Sequence, residues 1–255
     1  GAEQCGIAAI APRNPQRLDR GLTDHDLLTL GVTSHADGHT DFGVIASISE
    51  GLAYRRDDDF RRITEIACAE SLQLITLTIT EKGYQLNGYD GSYQDAVVED
   101  LGRDPESDRM STAMGLVTAL LVRRFHAGAT PVAVVSCDNF SHNGDMLRTS
   151  VLTIAAEWEK RGVIDHRVVE WIAEKVEFPI SVIDKITPAP SQKVAEQLAS
   201  MGFEDMAINL DVEVAGFVNT EPAEYLVIED RFPNGRPELE KAGVYFTDRD
   251  TCYRF

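Results

Sequence analysis

The run Val132-Ala133-Val134-Val135-Ser136 constrains this chain more than any other segment. It is apolar on both faces, and such a strand belongs in the middle of a parallel sheet that helices cover from both sides. The flanking sequence supplies those helices. Upstream, Met114, Val117, Leu120, Leu121 and Phe125 fall on one helical face behind a Ser111 or Thr112 cap, and Gly128 provides the stop. Downstream, helices are expected from about Asp145 to Lys160 and from about Asp165 to Lys175.

The same alternation runs through the rest of the chain. Cys5 to Ile10 is a short apolar run closed by Pro12, Asn14 and Pro15, and reads as a buried strand. Leu27 to Val32 and Phe42 to Ile48 flank the turn residues Asp37-Gly38 and predict a hairpin with a long tip. Residues 57–70 carry Phe60, Ile63, Ile66 and Ala67 as one helical stripe. Leu72 to Thr80 is a strand rich in β-branched residues, and 87–109 is a polar excursion with little helix. Further strands are expected at Ile180–Ile183, near Ala207–Leu210 and at Tyr225–Ile228. A helix is expected over 191–201, and a short one starting at Gly235-Arg236-Pro237. The order is strand, helix, strand, so the class is α/β, with a mostly parallel sheet, flanking helices and an inserted β-hairpin.

Charge and cysteine usage narrow the function. Against 24 Lys and Arg stand 42 Asp and Glu among 255 residues, a formal charge of −18. That balance argues against nucleic acid and against an anionic membrane surface as partners. No stretch reaches the roughly 18 apolar residues of a membrane span, and no secretion signal opens the chain, so a cytoplasmic protein is expected. The four cysteines are far apart and form no C-x-x-C pair, which points to reduced thiols and away from zinc. Cys68 and Cys137 read as small buried hydrophobes. His35 and His39 share the polar hairpin tip, where no metal site is expected. Asp57-Asp58-Asp59 and Glu99-Asp100 read as solvated surface or helix N-termini. G-x-S-x-G, G-x-G-x-x-G and the P-loop pattern are all absent.

In an open α/β sheet, ligands bind beyond the carboxyl ends of the strands. Three polar clusters fall there: Thr78-Ile79-Thr80-Glu81-Lys82-Gly83-Tyr84, Ser136-Cys137-Asp138-Asn139, and Asp184-Lys185-Ile186-Thr187-Pro188. Singly, each is an ordinary turn or cap. Together, at corresponding strand ends, they favour a site.

Those phrases also carry a family resemblance. Val176-Glu177-Phe178-Pro179-Ile180-Ser181-Val182-Ile183-Asp184-Lys185-Ile186-Thr187-Pro188 resembles the signature of the mannitol dehydrogenase family, the polyol-specific long-chain dehydrogenases with fructuronate and tagaturonate reductase relatives. Leu77 to Tyr84, Ser136 to Asn139 with His142-Asn143-Gly144, Val227 to Phe232, and Gly235-Arg236-Pro237 through Asp248 follow in the family's order. Ile183-Asp184-Lys185 stands where the family usually has Val-Asp-Arg, and Lys lacks the bidentate fork of Arg. Arg254 stands where an acidic residue is frequent.

The resemblance implies a Rossmann-like NAD(P)-binding domain. It places the family's glycine-rich first strand ahead of Cys5, and its helical catalytic domain, with a Lys base, after Tyr253. Residues 1–255 are therefore expected to be a truncated N-terminal domain that does not turn over substrate alone. Asn139 is expected to hold the substrate oxygen and Asp184 to lie near the reacting end of the cleft. Thr80, Glu81, Lys82 and Asp138 are expected to border NAD or NADP. The implied reaction is hydride transfer between that cofactor and a sugar alcohol or ketose, or a hexonate or hexuronate, with no metal. The alternative is a non-catalytic binding or regulatory protein derived from the family. Arg13 and Arg17 follow the first visible strand, where a 2′-phosphate could be met.

Overall fold

Val132, Ala133, Val134 and Val135 are fully buried, as a double-sided apolar strand requires. The structure, a computed structural model, describes residues 6–185, 187–222 and 224–255. Cys5 and Ile186 of the sequence motifs lie outside the described residues. In chain order the elements are β1 (Ile7–Ala11), α1 (Pro15–Gly21), β2 (Thr29–Ser34), β3 (Thr40–Ile45), β4 (Ile48–Ala53), α2 (Asp57–Cys68), β5 (Leu74–Leu77), α3 (Asp95–Leu101), α4 (Ala113–His126), β6 (Ala133–Ser136), α5 (Asn143–Lys160), α6 (His166–Lys175), β7 (Ser181–Asp184), α7 (Gln192–Ser200), β8 (Phe217–Thr220), β9 (Tyr225–Glu229), β10 (Tyr245–Thr247) and α8 (Arg249–Cys252). Packing divides them into two units. No helix among the described residues is long and apolar enough to cross a membrane.

One unit comprises the described residues up to Ile63 with Lys185–Glu224. The expected hairpin is present: β2 pairs antiparallel with β3, from Thr29 opposite Ile45 to Ser34 opposite Thr40, and parallel with β8. Leu30, Val32 and Phe217 pack against Ala195 and Leu198 of α7. β8 replaces the strand expected at Ala207–Leu210. There the side chain of Asn209 accepts from the amides of Asp211 and Val212 and bends the chain into a turn. The run expected to end at Ile48 is two strands, and β4 pairs parallel with β1. β1 is less buried than its sequence suggests, with Ile7 52% and Ile10 39% exposed. Among the described residues it pairs with β4 alone, so only Ala9 and Ala11 face the cluster of Leu18, Leu22 and Ala53.

The other unit comprises Thr64–Asp184 with Tyr225–Phe255. β5 and β6 pair parallel, and Glu177 bridges to β6 through its carbonyl, which accepts from Val134 N at 2.8 Å. β7 runs antiparallel to β9, which pairs parallel with β10. α4 forms behind a Thr112 side chain that accepts from Gly115 N at 2.9 Å. Met114, Val117 and Leu121 on its inner face are each at most 2% exposed. Burying each such side chain contributes about 1.5–3 kcal/mol. Its last turn carries Arg124, 1% exposed, whose guanidinium donates to the carbonyls of Ala67, Ala69 and Thr130 at 2.6–2.8 Å. Those carbonyls end α2 and the loop before β6, so a buried cation satisfies backbone groups that would otherwise be orphaned.

Two further expectations are corrected here. Residues 87–109 contain α3, with Val97 and Leu101 buried. Asp100 is fully buried, and its carboxylate accepts from Ser111 N, Thr112 N and Thr112 Oγ1 at 2.6–2.9 Å. The tail turn is a 3-10 helix over Leu239–Ala242, two residues past Pro237. Beside it, the Arg236 guanidinium lies 3.5 Å over the Phe246 ring and pairs with Asp230 and Glu240.

Candidate active site

β5 stops at Leu77 because the next amides have another partner. Ile79 N and Thr80 N both donate to the Asp138 carboxylate, at 2.9–3.1 Å and 2.9 Å. That is the physical reason the strand ends short of the expected Thr80. Thr80 takes φ 64°, ψ 157°, a region that β-branched residues avoid. A 3-10 turn over Glu81–Tyr84 then returns the chain to the interior. A Cβ on Gly83 would lie 2.9 Å from the Ile79 side chain, so glycine is needed for the close approach. Tyr84, fully buried, donates to Asp138 Oδ2 at 2.6 Å and shares a 2.7 Å hydrogen bond with Ser136 Oγ. Burial, with the Asp138 carboxylate beside it, pushes the Tyr84 hydroxyl well above its ordinary pKa, so it stays protonated.

The ends of β6 and β7 join the same network. Asn143, 1% exposed, donates to the carbonyls of Asp138 and Ser181 and accepts from Ser181 N at 3.1 Å. Ser181 Oγ donates in a short bond to the Ser136 carbonyl. A Cβ on Gly144 would sit 2.7 Å from the carbonyl oxygens of Phe178 and Pro179, so α5 starts pressed against the backbone leading into β7. Ser181 is thereby level with the end of β6. Asp184, three residues on, lies about 10 Å beyond it at roughly 3.3 Å per residue.

Five of the six candidates from the sequence have side chains without a hydrogen-bond or ion-pair partner among the described residues. Thr80, Glu81, Lys82 and Asn139 are exposed, and Asp184 is half-buried. Asp138 differs: it is 7% exposed, and its carboxylate is occupied by two amides and the Tyr84 hydroxyl. It shapes the turn that presents Thr80, Glu81 and Lys82. Lys185 pairs with Glu224, so the turn after β7 does not direct it to Asp184. Tyr84 and Ser136 lie within the polar clusters of the sequence, and Asn143 and Ser181 within its family motifs, but none of the four was singled out as a site residue. The only visible signal for Tyr84 was a large aromatic at the end of a polar turn.

Next to Asn139, the first turn of α5 meets the chain's last helix. Asp145 accepts from the Tyr253 hydroxyl at 2.8 Å and pairs with Arg249 at 3.0 Å. Arg249 also reaches the buried Glu229 at 3.2 Å. The His142 ring lies tilted at 48° with its centroid 4.9 Å from that of Tyr253, and the residue is in a left-handed conformation at φ 59°. No group of three His, Cys, Asp or Glu among the described residues could hold a metal ion. His35 and His39 are both hydrogen-bonded to Asp41.

Residues 9–241 match the model of the mannitol dehydrogenase Rossmann domain. The chain belongs to the mannitol dehydrogenase family. It is 43% identical to the D-mannonate oxidoreductase of Thermotoga maritima over 98% of its own length and 47% of that protein's. A mannitol 2-dehydrogenase of Pyrenophora tritici-repentis is 33% identical over 94% of this chain and 39% of the relative. Among solved structures, the substrate-free crystal structure of D-sorbitol dehydrogenase superposes with a TM-score of 0.81 at 28% identity, covering 99% of this chain and 49% of that one. The Pseudomonas fluorescens mannitol 2-dehydrogenase ternary complex with NAD and D-mannitol gives 0.76 at 30% identity, over 97% and 47%. The chain spans from about two fifths to half the length of these relatives. The Rossmann-like α/β fold expected from the family is therefore the fold found.

Proposed function

We propose that this chain is the nicotinamide-cofactor domain of an oxidoreductase acting on a secondary alcohol of a hexonate or polyol, with D-mannonate as the first choice of substrate. The observation that carries the reading is the presentation of Asn139. It is exposed and has no hydrogen-bond partner among the described residues at the carboxyl end of a buried strand, on a loop locked from beneath by Asp138, Tyr84 and Asn143. The identity of 43% to a D-mannonate oxidoreductase across nearly the whole chain supports the substrate choice.

The partnerless set fits a nicotinamide dinucleotide: a hydroxyl on Thr80, a carboxylate on Glu81 and an ammonium on Lys82 suit ribose, carboxamide and phosphate groups. When bound, NAD or NADP supplies the hydride acceptor or donor. The chain's own residues bind and orient. Thr80, Glu81 and Lys82 border the cofactor. The Asn139 amide donates to the substrate oxygen as it gains negative charge, a role worth about 3–4 kcal/mol in other oxyanion sites. Asp184 accepts from a substrate hydroxyl near the reacting carbon. Asp138 holds the turn and touches neither ligand.

Equilibrium titration with NADH and NADPH, followed by assays with D-mannonate, D-mannitol and D-sorbitol, tests the reading. Binding of at least one cofactor and turnover of a hexonate or hexitol by the protein in its natural reading frame are expected. Absence of binding of both cofactors overturns it.

A further inference from the structure

A buried tyrosine that the chemistry above does not use sits beneath both candidate loops. The Tyr84 hydroxyl joins Asp138 Oδ2 at 2.6 Å and Ser136 Oγ at 2.7 Å. Asp138 in turn holds the amides of Ile79 and Thr80. The Tyr84 ring lies 5.2 Å from that of Phe140, the residue after Asn139. Its backbone carbonyl accepts from Ser150 Oγ of α5 at 2.7 Å, which holds the Tyr84 main chain independently of the hydroxyl. Thr80 occupies a backbone conformation that persists only where the surroundings over-determine it. The carboxylate that imposes it keeps its geometry through the tyrosine.

We propose that Tyr84 is a positioning residue: through Asp138 its hydroxyl sets the Thr80–Lys82 turn, and through Phe140 its ring sets the Asn139 loop, in the arrangement hydride transfer requires. This rests on the nicotinamide reading of the site. Tyr84 touches neither substrate nor cofactor. Its effect is on alignment, where a displacement of about 1 Å costs about a hundredfold in rate.

Tyr84→Phe tests it, because the ring and the Ser150 bond to the backbone carbonyl remain. In the full natural protein, kcat is expected to fall about 10–100-fold, while KM for substrate and cofactor shifts less than about threefold. Hydrogen exchange of the Ile79 and Thr80 amides is expected to rise at least about tenfold, with β6 unchanged. A kcat within about twofold of wild type, or unchanged exchange at those amides, overturns the proposal. Should Tyr84→Phe not fold, Asp138→Asn is expected to give the same split between kcat and KM, and a fall confined to KM overturns it. A wild type that binds no nicotinamide cofactor defeats the functional reading instead. The exchange measurement still reports whether Tyr84 holds the turn.

Discussion

Gly144 shows how much of the site is decided by single atoms. Its missing Cβ lets α5 press against the carbonyls of Phe178 and Pro179, and Asn143 beside it ties β6 to β7. Gly144→Ala is expected to destabilise by about 1–3 kcal/mol, read as a lower urea midpoint with unchanged slope. Cys68 and Cys137, expected to be buried, are partly exposed, and Cys252 is the buried thiol among the described residues. Burial, with nearby carboxylates adding, pushes Cys137 and Cys252 up to about 11. At pH 8 the thiolate is then about a thousandth of each, so iodoacetamide is expected to label both only after denaturation. The placement of Thr80, Glu81 and Lys82 just past β5, and of Asn139 just past β6, was legible because a polar turn that closes an apolar run marks a strand end. Tyr84 was not, since no local pattern tells a turn tyrosine at the surface from one whose hydroxyl reaches Asp138, 54 residues away.

At the scale of elements, long periodic helices and β-branched strands were legible, and short elements held by side chains were not. α3 escaped because its stretch is polar, and its carboxylate Asp100 looks like a surface charge. Instead it caps α4 from within, through Ser111 N, Thr112 N and Thr112 Oγ1. Asp100→Ala leaves those donors buried and is expected to cost about 3 kcal/mol, measured by thermal or urea unfolding. β8 escaped because Phe217–Thr220 is only four residues long and follows a turn that Asn209 creates. The contact between α5 and α8 titrates. Burial raises the Asp145 pKa, but the Tyr253 hydroxyl and the Arg249 guanidinium outweigh it and hold the carboxyl below its ordinary range. A depressed folded pKa adds stability above the unfolded value and loses it as pH falls through the folded one. Asp145→Asn is therefore expected to destabilise at neutral pH, and the variant and wild type to converge only as pH falls through the depressed Asp145 pKa, followed by stability against pH.

For the whole molecule, the alternation of strands and helices fixed the class, and ordered motifs identified the family. Neither reveals how the polar ends of β5, β6 and β7 are knitted beneath the surface, because those contacts join residues far apart in the chain. The charge of −18 selects no substrate. In the proposed function, a rigid, internally satisfied network presents Asn139 to a substrate oxygen beside a nicotinamide cofactor. The most direct measurement compares wild type with Asn139→Ala in the full natural protein, recording cofactor affinity and steady-state oxidation of D-mannonate together. For Asn139→Ala, kcat is expected to be lower by about a hundredfold or more with cofactor affinity unchanged within about twofold. Equal turnover by the variant would contradict it.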